Sequence, residues 1–204
     1  MITLLYSGNI GIGQDLHTVL RAAARIDEKF DLHIMIVGGG KGLASVRQLV
    51  TELQLSNVEF AEPVPLYKLS DTLATGDIHI ICQKPGTEGL LVPSKIYSTL
   101  NAGRPSLFVG PADCEVGHVV RESRSGFIVE PGDVESALNA LTNLIGSAAL
   151  RWEMGRNAKE YYEYYFGRQK SLAKIISIIE RVAGNGQLDS QQIPLIDKGL
   201  ANEK

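Results

Sequence analysis

Short apolar, β-prone runs that end in glycine turns and lead into segments of helical spacing recur along the first two thirds of this chain. No other feature constrains the fold as strongly. Ile2 to Tyr6 stops at Ser7-Gly8, and from Asp15 onward Leu16, Val19, Leu20 and Ala23 fall on one helical side. Leu32 to Val37 runs into Gly38-Gly39-Gly40, after which Val46, Leu49, Val50 and Leu53 keep helical spacing. Val58-Glu59-Phe60 is a minimal strand, and Pro63-Val64-Pro65 leads to a helix around Tyr67 to Ala74. Ile78 to Cys82 is almost continuously apolar, which suits a central strand covered on both faces. Ser106 to Val109 is a further strand, Val116 to Arg121 a helix, and Gly126 to Val129 the last strand. The alternation predicts an α/β fold with a doubly wound, mainly parallel six-stranded sheet of Rossmann-like type.

From Asp133 the pattern becomes entirely helical. Val134, Ala137, Leu138, Leu141 and Leu144 make one amphipathic face, Leu150 to Tyr165 a second segment, and Ser171 to Val182 a third, with Gly167 between the last two. Tyr161, Tyr162, Tyr164, Tyr165 and Phe166 cluster before that break; some of these rings are expected to be buried and others to face a partner surface or mediate self-association. Beyond Gly184 the apolar period is lost. One domain over residues 1–183 and a disordered tail over 184–204 are therefore expected.

A chain of 204 residues with 44% hydrophobic content is long enough to bury one substantial core. Its net charge of −3 lacks the basic excess of a nucleic-acid binder, so no nucleic-acid partner is expected. Cys82 and Cys114 have no paired spacing, and His17, His33, His79 and His118 are scattered, so neither a metal site nor a disulfide framework is expected. Reduced thiols and the lack of a signal peptide at Met1 to Tyr6 lead to a cytoplasmic expectation.

The run Gly86-Thr87-Glu88-Gly89-Leu90-Leu91-Val92-Pro93-Ser94-Lys95 is a small-residue loop feeding a helix. Free amides at such a helix start can hold an anion, and Ser94 and Lys95 add a hydroxyl and a positive charge, a combination that suits a diphosphate. Three glycine turns, Gly8 to Gly13, Gly38 to Gly40 and Gly86 to Gly89, fall at predicted carboxyl ends of strands, where open parallel sheets bind ligands. Gly11-Ile12-Gly13 does not continue as the dinucleotide fingerprint, and no glycine loop ends in Lys followed by Ser or Thr. A nicotinamide or flavin site and a triphosphatase P-loop are both disfavoured. On these residues alone, Lys84, Glu88 and Lys95 serve equally well as solvated charges, and Asp113 and Glu115 either meet a substrate or merely begin a helix favourably.

Tyr6-Ser7-Gly8-Asn9-Ile10-Gly11, Val37-Gly38-Gly39-Gly40, Asn57 to Phe60, Pro93 to Pro105, Gly126 to Asp133 and Met154-Gly155-Arg156-Asn157-Ala158 occur in order. In that order they resemble the C-terminal, sugar-nucleotide-binding half of retaining family-four glycosyltransferases of the GT-B fold, over roughly residues 3–182. The Pro-Ser-Lys-Ile-Tyr run is similar to that of the colanic-acid and fucosamine type. The resemblance implies a nucleoside diphosphate sugar as substrate, no cofactor, and a role in surface polysaccharide biosynthesis.

It also implies site residues. Gly11, Gly13, Ser94 and Lys95 would meet the donor diphosphate, with Lys84 nearby; Glu88, Gly89, Leu90, Leu91 and Ser98 would meet the donor sugar or ribose; Gly38, Gly39 and Val64 would meet the base. Three departures stand out. The family's ribose-binding glutamate falls on Ser98, the first glutamate of its usual pair falls near Leu90 where this chain has Glu88, and its lysine in the first helix falls on Gln14. The acceptor-binding N-terminal half is missing from this chain, so no catalytic residue is assigned, little or no turnover is expected of the chain alone, and any peripheral membrane contact would come through that half. Two other readings stay open: a sugar-nucleotide epimerase-like domain, which would need clearer acid and base residues than Glu88 and Asp113, and a catalytically silent interaction domain of the same fold, marked by Ser98.

Overall fold

The computed structural model describes residues 1–11, 14–87 and 93–185. Among them, six strands form one parallel sheet: β1 (Ile2–Ser7), β2 (Leu32–Val37), β3 (Val58–Ala61), β4 (Ile78–Cys82), β5 (Ser106–Val109) and β6 (Gly126–Val129). The spatial order is β3-β2-β1-β4-β5-β6, with every pairing parallel. Chain order therefore reverses between β1 and β4, and the crevice at their carboxyl ends is where such sheets take ligands.

The connecting helices are α1 (Leu16–Ala23), α2 (Leu43–Glu52), α3 (Leu69–Thr75, after a 3-10 turn at Leu66–Lys68), α4 (Lys95–Ala102), α5 (Glu115–Ser123) and α6 (Val134–Gly146). All five residues of β4 are buried, as its continuous apolar run requires of a strand covered on both faces. Leu4, Ile34, Ile36, Ile80 and Leu107 from the sheet meet Val19, Leu20, Leu141 and Leu144 from α1 and α6 in one core. Each fully buried side chain of this kind contributes about 1.5 to 3 kcal/mol.

Local chemistry fixes where the helices begin. Asp15 caps α1: its carboxylate accepts from the Thr18 amide at 3.4 Å and the Thr18 hydroxyl at 2.7 Å. The Thr18 hydroxyl in turn accepts from the Gly132 amide at 2.8 Å, tying the start of α1 to the turn between β6 and α6. α4 ends at Gly103 in the left-handed conformation (φ 64°), a helix stop that favours glycine.

Two helices follow, α7 (Ala148–Tyr165) and α8 (Arg168–Asn185), and the chain divides into a compact unit over Met1–Tyr164 and a second from Tyr165 onward. In α7, Gly155 lies against Gly103 so closely that a Cβ would overlap the Gly103 carbonyl oxygen. The Gly103-Arg104-Pro105 and Met154-Gly155-Arg156 segments are thus the two sides of one helix-on-loop contact. Tyr164 is 62% exposed, while Tyr161 is half-buried and donates to Glu122 at 2.8 Å. α8 carries Leu172, Ile175, Ile176 and Ile179 exposed. The expected tail beyond Asn185 lies outside the described residues.

Candidate functional site

The loops after β1 and β2 are laced backbone to backbone. The Gly8 amide donates to Val37 O at 2.8 Å, the Ile10 amide to Gly39 O at 2.8 Å, and the Gly42 amide to Ile10 O at 2.9 Å. Gly38 (φ 139°) sits so close that a Cβ there would overlap the Gly8 carbonyl, and Gly40 (φ 141°) packs in the same way on Ile10. Only glycine combines that backbone conformation with that approach.

Above these loops is a cavity of about 390 Å³. Its floor is the Gly8-Asn9 and Gly38 to Gly40 backbone, and its far wall is Pro63, Val64 and Leu69. A slot with peptide groups on one side and short apolar side chains on the other suits a flat heterocycle, which can stack and still reach backbone donors and acceptors.

Lys95 reaches the same place from α4. Its stem crosses Gly8, where a Cβ would stand 2.5 Å from Lys95 Cε, and its ammonium lies 4.9 Å from the centre of the Tyr6 ring. The Tyr6 hydroxyl donates to Asn9 O at 2.6 Å and so braces the β1 loop beneath the lysine. Burial pushes the Lys95 pKa down, and the nearby Cys82 thiol opposes that shift. The same burial holds the Cys82 and Tyr6 protons firmly on, each pKa raised beyond the ordinary range. Among the described residues no carboxylate is paired with Lys95. A half-buried cation at the switch point, with no counter-ion among the described residues, suits an anion.

The neighbouring helix start cannot take that part as freely. Asp15 already places its own carboxylate at the amino end of α1 and occupies the Thr18 amide. Gln14, just before it, keeps a buried Oε1 with no hydrogen-bond partner among the described residues. An unused acceptor beside the β1 loop is available to a hydroxyl or N–H of a ligand.

Of the residues expected from the sequence, Gly38, Gly39 and Val64 line the cavity, and Lys95 stands at its Gly8 end. Gly11 belongs to the β1 loop but does not line the cavity; its carbonyl accepts from the Gln14 amide at 3.3 Å. Ser94 is the exposed N-cap of α4 and its side chain makes no capping bond. Helix α4 begins at Lys95, so Pro93 precedes the cap, and its carbonyl accepts from the Ile96 amide at 3.2 Å. Ser98 is half-buried and its hydroxyl donates to Lys95 O at 2.9 Å, which leaves only its lone pairs for a ligand. Gly13, Glu88, Gly89, Leu90 and Leu91 lie outside the described residues. Lys84 is exposed, Asp113 is 96% exposed at its side chain, and neither lines the cavity. Sequence reasoning missed the bracing role of Tyr6 and the wall residue Leu69; a tyrosine closing an otherwise aliphatic strand before a glycine was the available signal for the first.

A six-stranded all-parallel sheet of this order, flanked by helices, matches one half of GT-B glycosyltransferase structures. The family model described as "Glycosyl transferases group 1" matches residues 2–147, and the chain belongs to that family. It is 33% identical over 178 residues to the putative colanic acid biosynthesis glycosyl transferase WcaI of Escherichia coli (strain K12), covering 86% of this chain and 42% of that protein. It is 28% identical to the O-antigen chain mannosyltransferase C of Escherichia coli, over 79% of this chain and 42% of that one. Among solved structures, WaaG, a glycosyltransferase involved in lipopolysaccharide biosynthesis, superposes with a TM-score of 0.71 at 21% identity, covering 87% of this chain and 47% of WaaG. Anabaena Alr3699/HepE in complex with UDP superposes with a TM-score of 0.74 at 16% identity, covering 88% and 49%. The chain thus spans about half, or slightly less, of the length of these relatives.

Proposed function

We propose that this chain is the donor-binding half of a glycosyltransferase, taking a nucleoside diphosphate sugar for transfer in surface polysaccharide biosynthesis in the cytoplasm. The observation that carries the reading is the juxtaposition of the Gly38-Gly39-Val64 slot with Lys95 at its Gly8 end, a cation with no ion-pair partner among the described residues. The base occupies the slot, the diphosphate lies over the β1 loop with Gly11, Gly13 and Ser94 near it, and its charge meets Lys95. The donor sugar and ribose extend toward Glu88 to Leu91, Gln14 and Ser98. The relatives' names, WcaI and the O-antigen mannosyltransferase among them, support the polysaccharide assignment, and a relative of the same fold holds UDP.

In the transfer step the bond from the sugar's anomeric carbon to the β-phosphate oxygen breaks, and its electron pair stays on the departing nucleoside diphosphate. The acceptor oxygen bonds to that carbon, and its proton passes to the departing β-phosphate oxygen. Lys95 opposite the β-phosphate stabilises the charge that grows there, which is the share of catalysis this half supplies. Acceptor binding belongs to the part of the relatives that this chain does not span.

Calorimetric titration with UDP, GDP, ADP and dTDP tests the reading. Saturable binding of at least one of them, and tighter binding of the diphosphate than of its nucleoside, is expected. Failure of all four to bind would favour a silent interaction domain, for which the engagement of Ser98 within its own helix is the one supporting observation.

A further inference from the structure

A second recess of about 390 Å³ lies at the opposite ends of the strands, where Asp77 enters β4 and Gly103-Arg104-Pro105 enters β5. Its other side is α7, which contributes Arg151, Trp152, Arg156 and Lys159. Four cations therefore line it against one carboxylate, and that carboxylate is engaged: Asp77 accepts from the Thr3 amide at 2.8 Å. The overlap-close contact of Gly155 with Gly103 fixes the two walls against each other, so the recess is pre-formed.

Among the described residues, none of the four cations has a carboxylate oxygen closer than 3.8 Å. Arg104 donates to Ala74 O at 3.0 Å through Nη2, and Arg151 donates to Leu144 O at 2.6 Å and Ile145 O at 3.0 Å through Nη1. Each guanidinium keeps further N–H donors in its fork. Lys159 donates to Asn101 O and Oδ1, both at 3.0 Å, neutral partners that aim the ammonium without cancelling its charge. The carboxylates that approach, Glu160 at 3.9 Å from Arg156 and Glu163 at 3.8 Å from Lys159, are exposed and distant, and such pairs are worth little. Trp152 is 68% exposed with the Arg156 guanidinium 5.3 Å from its ring, at the edge of the recess.

We propose that this recess is a second binding site, for a phosphate-bearing ligand, separate from the donor slot. Fork-shaped guanidinium donors converging with a lysine match the several acceptor oxygens of a phosphate. The donor slot lies at the carboxyl ends of the strands and this recess at the amino ends, about 15 to 20 Å away at the ordinary strand rise, so one nucleotide does not fill both. Soluble phosphate and an anionic lipid headgroup present the same chemistry.

Trp152 is the only tryptophan of the chain, so its fluorescence reports on this recess alone. The 204-residue chain is titrated with inorganic pyrophosphate, and separately with vesicles of phosphatidylglycerol or of phosphatidylcholine, at constant ionic strength. A saturable change with pyrophosphate identifies a soluble phosphate group, and a change with phosphatidylglycerol vesicles alone identifies a headgroup; either supports the site. Arg156→Gln, a change at a half-exposed side chain whose contacts are the distant Glu160 and the Trp152 ring, is expected to weaken the response at least ten-fold relative to its own unliganded baseline, and Lys95→Met to leave it unchanged. No saturable response in either arm, or an equal response from Arg156→Gln, overturns the proposal.

Discussion

Replacing Lys95 by Met removes the ammonium and keeps most of the stem that packs over Gly8 and Tyr6. A charge-assisted contact to a phosphate in a partly closed site contributes about 1.5 to 3 kcal/mol, so diphosphate affinity should fall about ten-fold to more than a hundred-fold. The bare nucleoside, which reaches only the slot, should bind as before. Stability should stay level or rise slightly, because the unfolded chain no longer has to give up a hydrated cation that burial penalises. The charge also sets a pH dependence. Burial lowers the Lys95 pKa, so in the parent protein the advantage of diphosphate over nucleoside should begin to fade at a pH below the ordinary lysine range as the ammonium loses its proton. The Met variant should show no such fade. Calorimetry of parent and variant with UDP and uridine across neutral and alkaline pH makes the measurement, alongside urea unfolding. Equal losses for diphosphate and nucleoside, or no loss for either, would refute the placement of Lys95 at the phosphate.

Gly38→Ala should destabilise the fold by about 2 to 5 kcal/mol in urea unfolding, since it combines a φ of 139° with an overlap on the Gly8 carbonyl, and should abolish nucleotide binding. His79, buried between Thr99 at 3.1 Å and Leu73 O at 3.0 Å, has its pKa pushed down to about 4, first by burial. The unfolded chain then takes up a proton that the folded one refuses, so stability should fall as pH drops from about 6.5 to about 4, by up to about 3 kcal/mol, and His79→Gln should flatten that stretch of the urea-unfolding profile. Thr18→Val should cost about 1 to 3 kcal/mol, because it strips the Gly132 amide and the Asp15 carboxylate of their shared hydroxyl; thermal unfolding checks it.

The sheet was legible because its strands are short apolar runs punctuated by glycine, and period and punctuation are local properties of a sequence. The same alternation called for parallel strands joined by crossovers, while the order β3-β2-β1-β4-β5-β6 came from the structure. The helix start at Lys95 after a glycine loop was legible as well. What the sequence hid is non-local. Gly38 against Gly8 and Gly155 against Gly103 are pairings across 30 and 52 positions, and nothing in either neighbourhood announces the other. The Met154-Gly155-Arg156 segment read as a family motif, yet in the fold it packs a helix on a loop and frames the basic recess at the far end of the sheet. Ser98 shows the same limit: the resemblance aligned it with the ribose-binding position, but nothing in its neighbourhood announced that its hydroxyl donates to Lys95 O.

The central claim is that one nucleoside diphosphate spans the slot and Lys95. A crystal structure of the chain with the tightest-binding of the four nucleoside diphosphates tests it most directly. The account predicts the base between the Gly38-Gly39 backbone and Val64, with a phosphate oxygen within hydrogen-bond distance of Lys95 Nζ. A nucleotide bound with its phosphates away from Lys95, or lodged in the recess beside Trp152 with the slot empty, would contradict it.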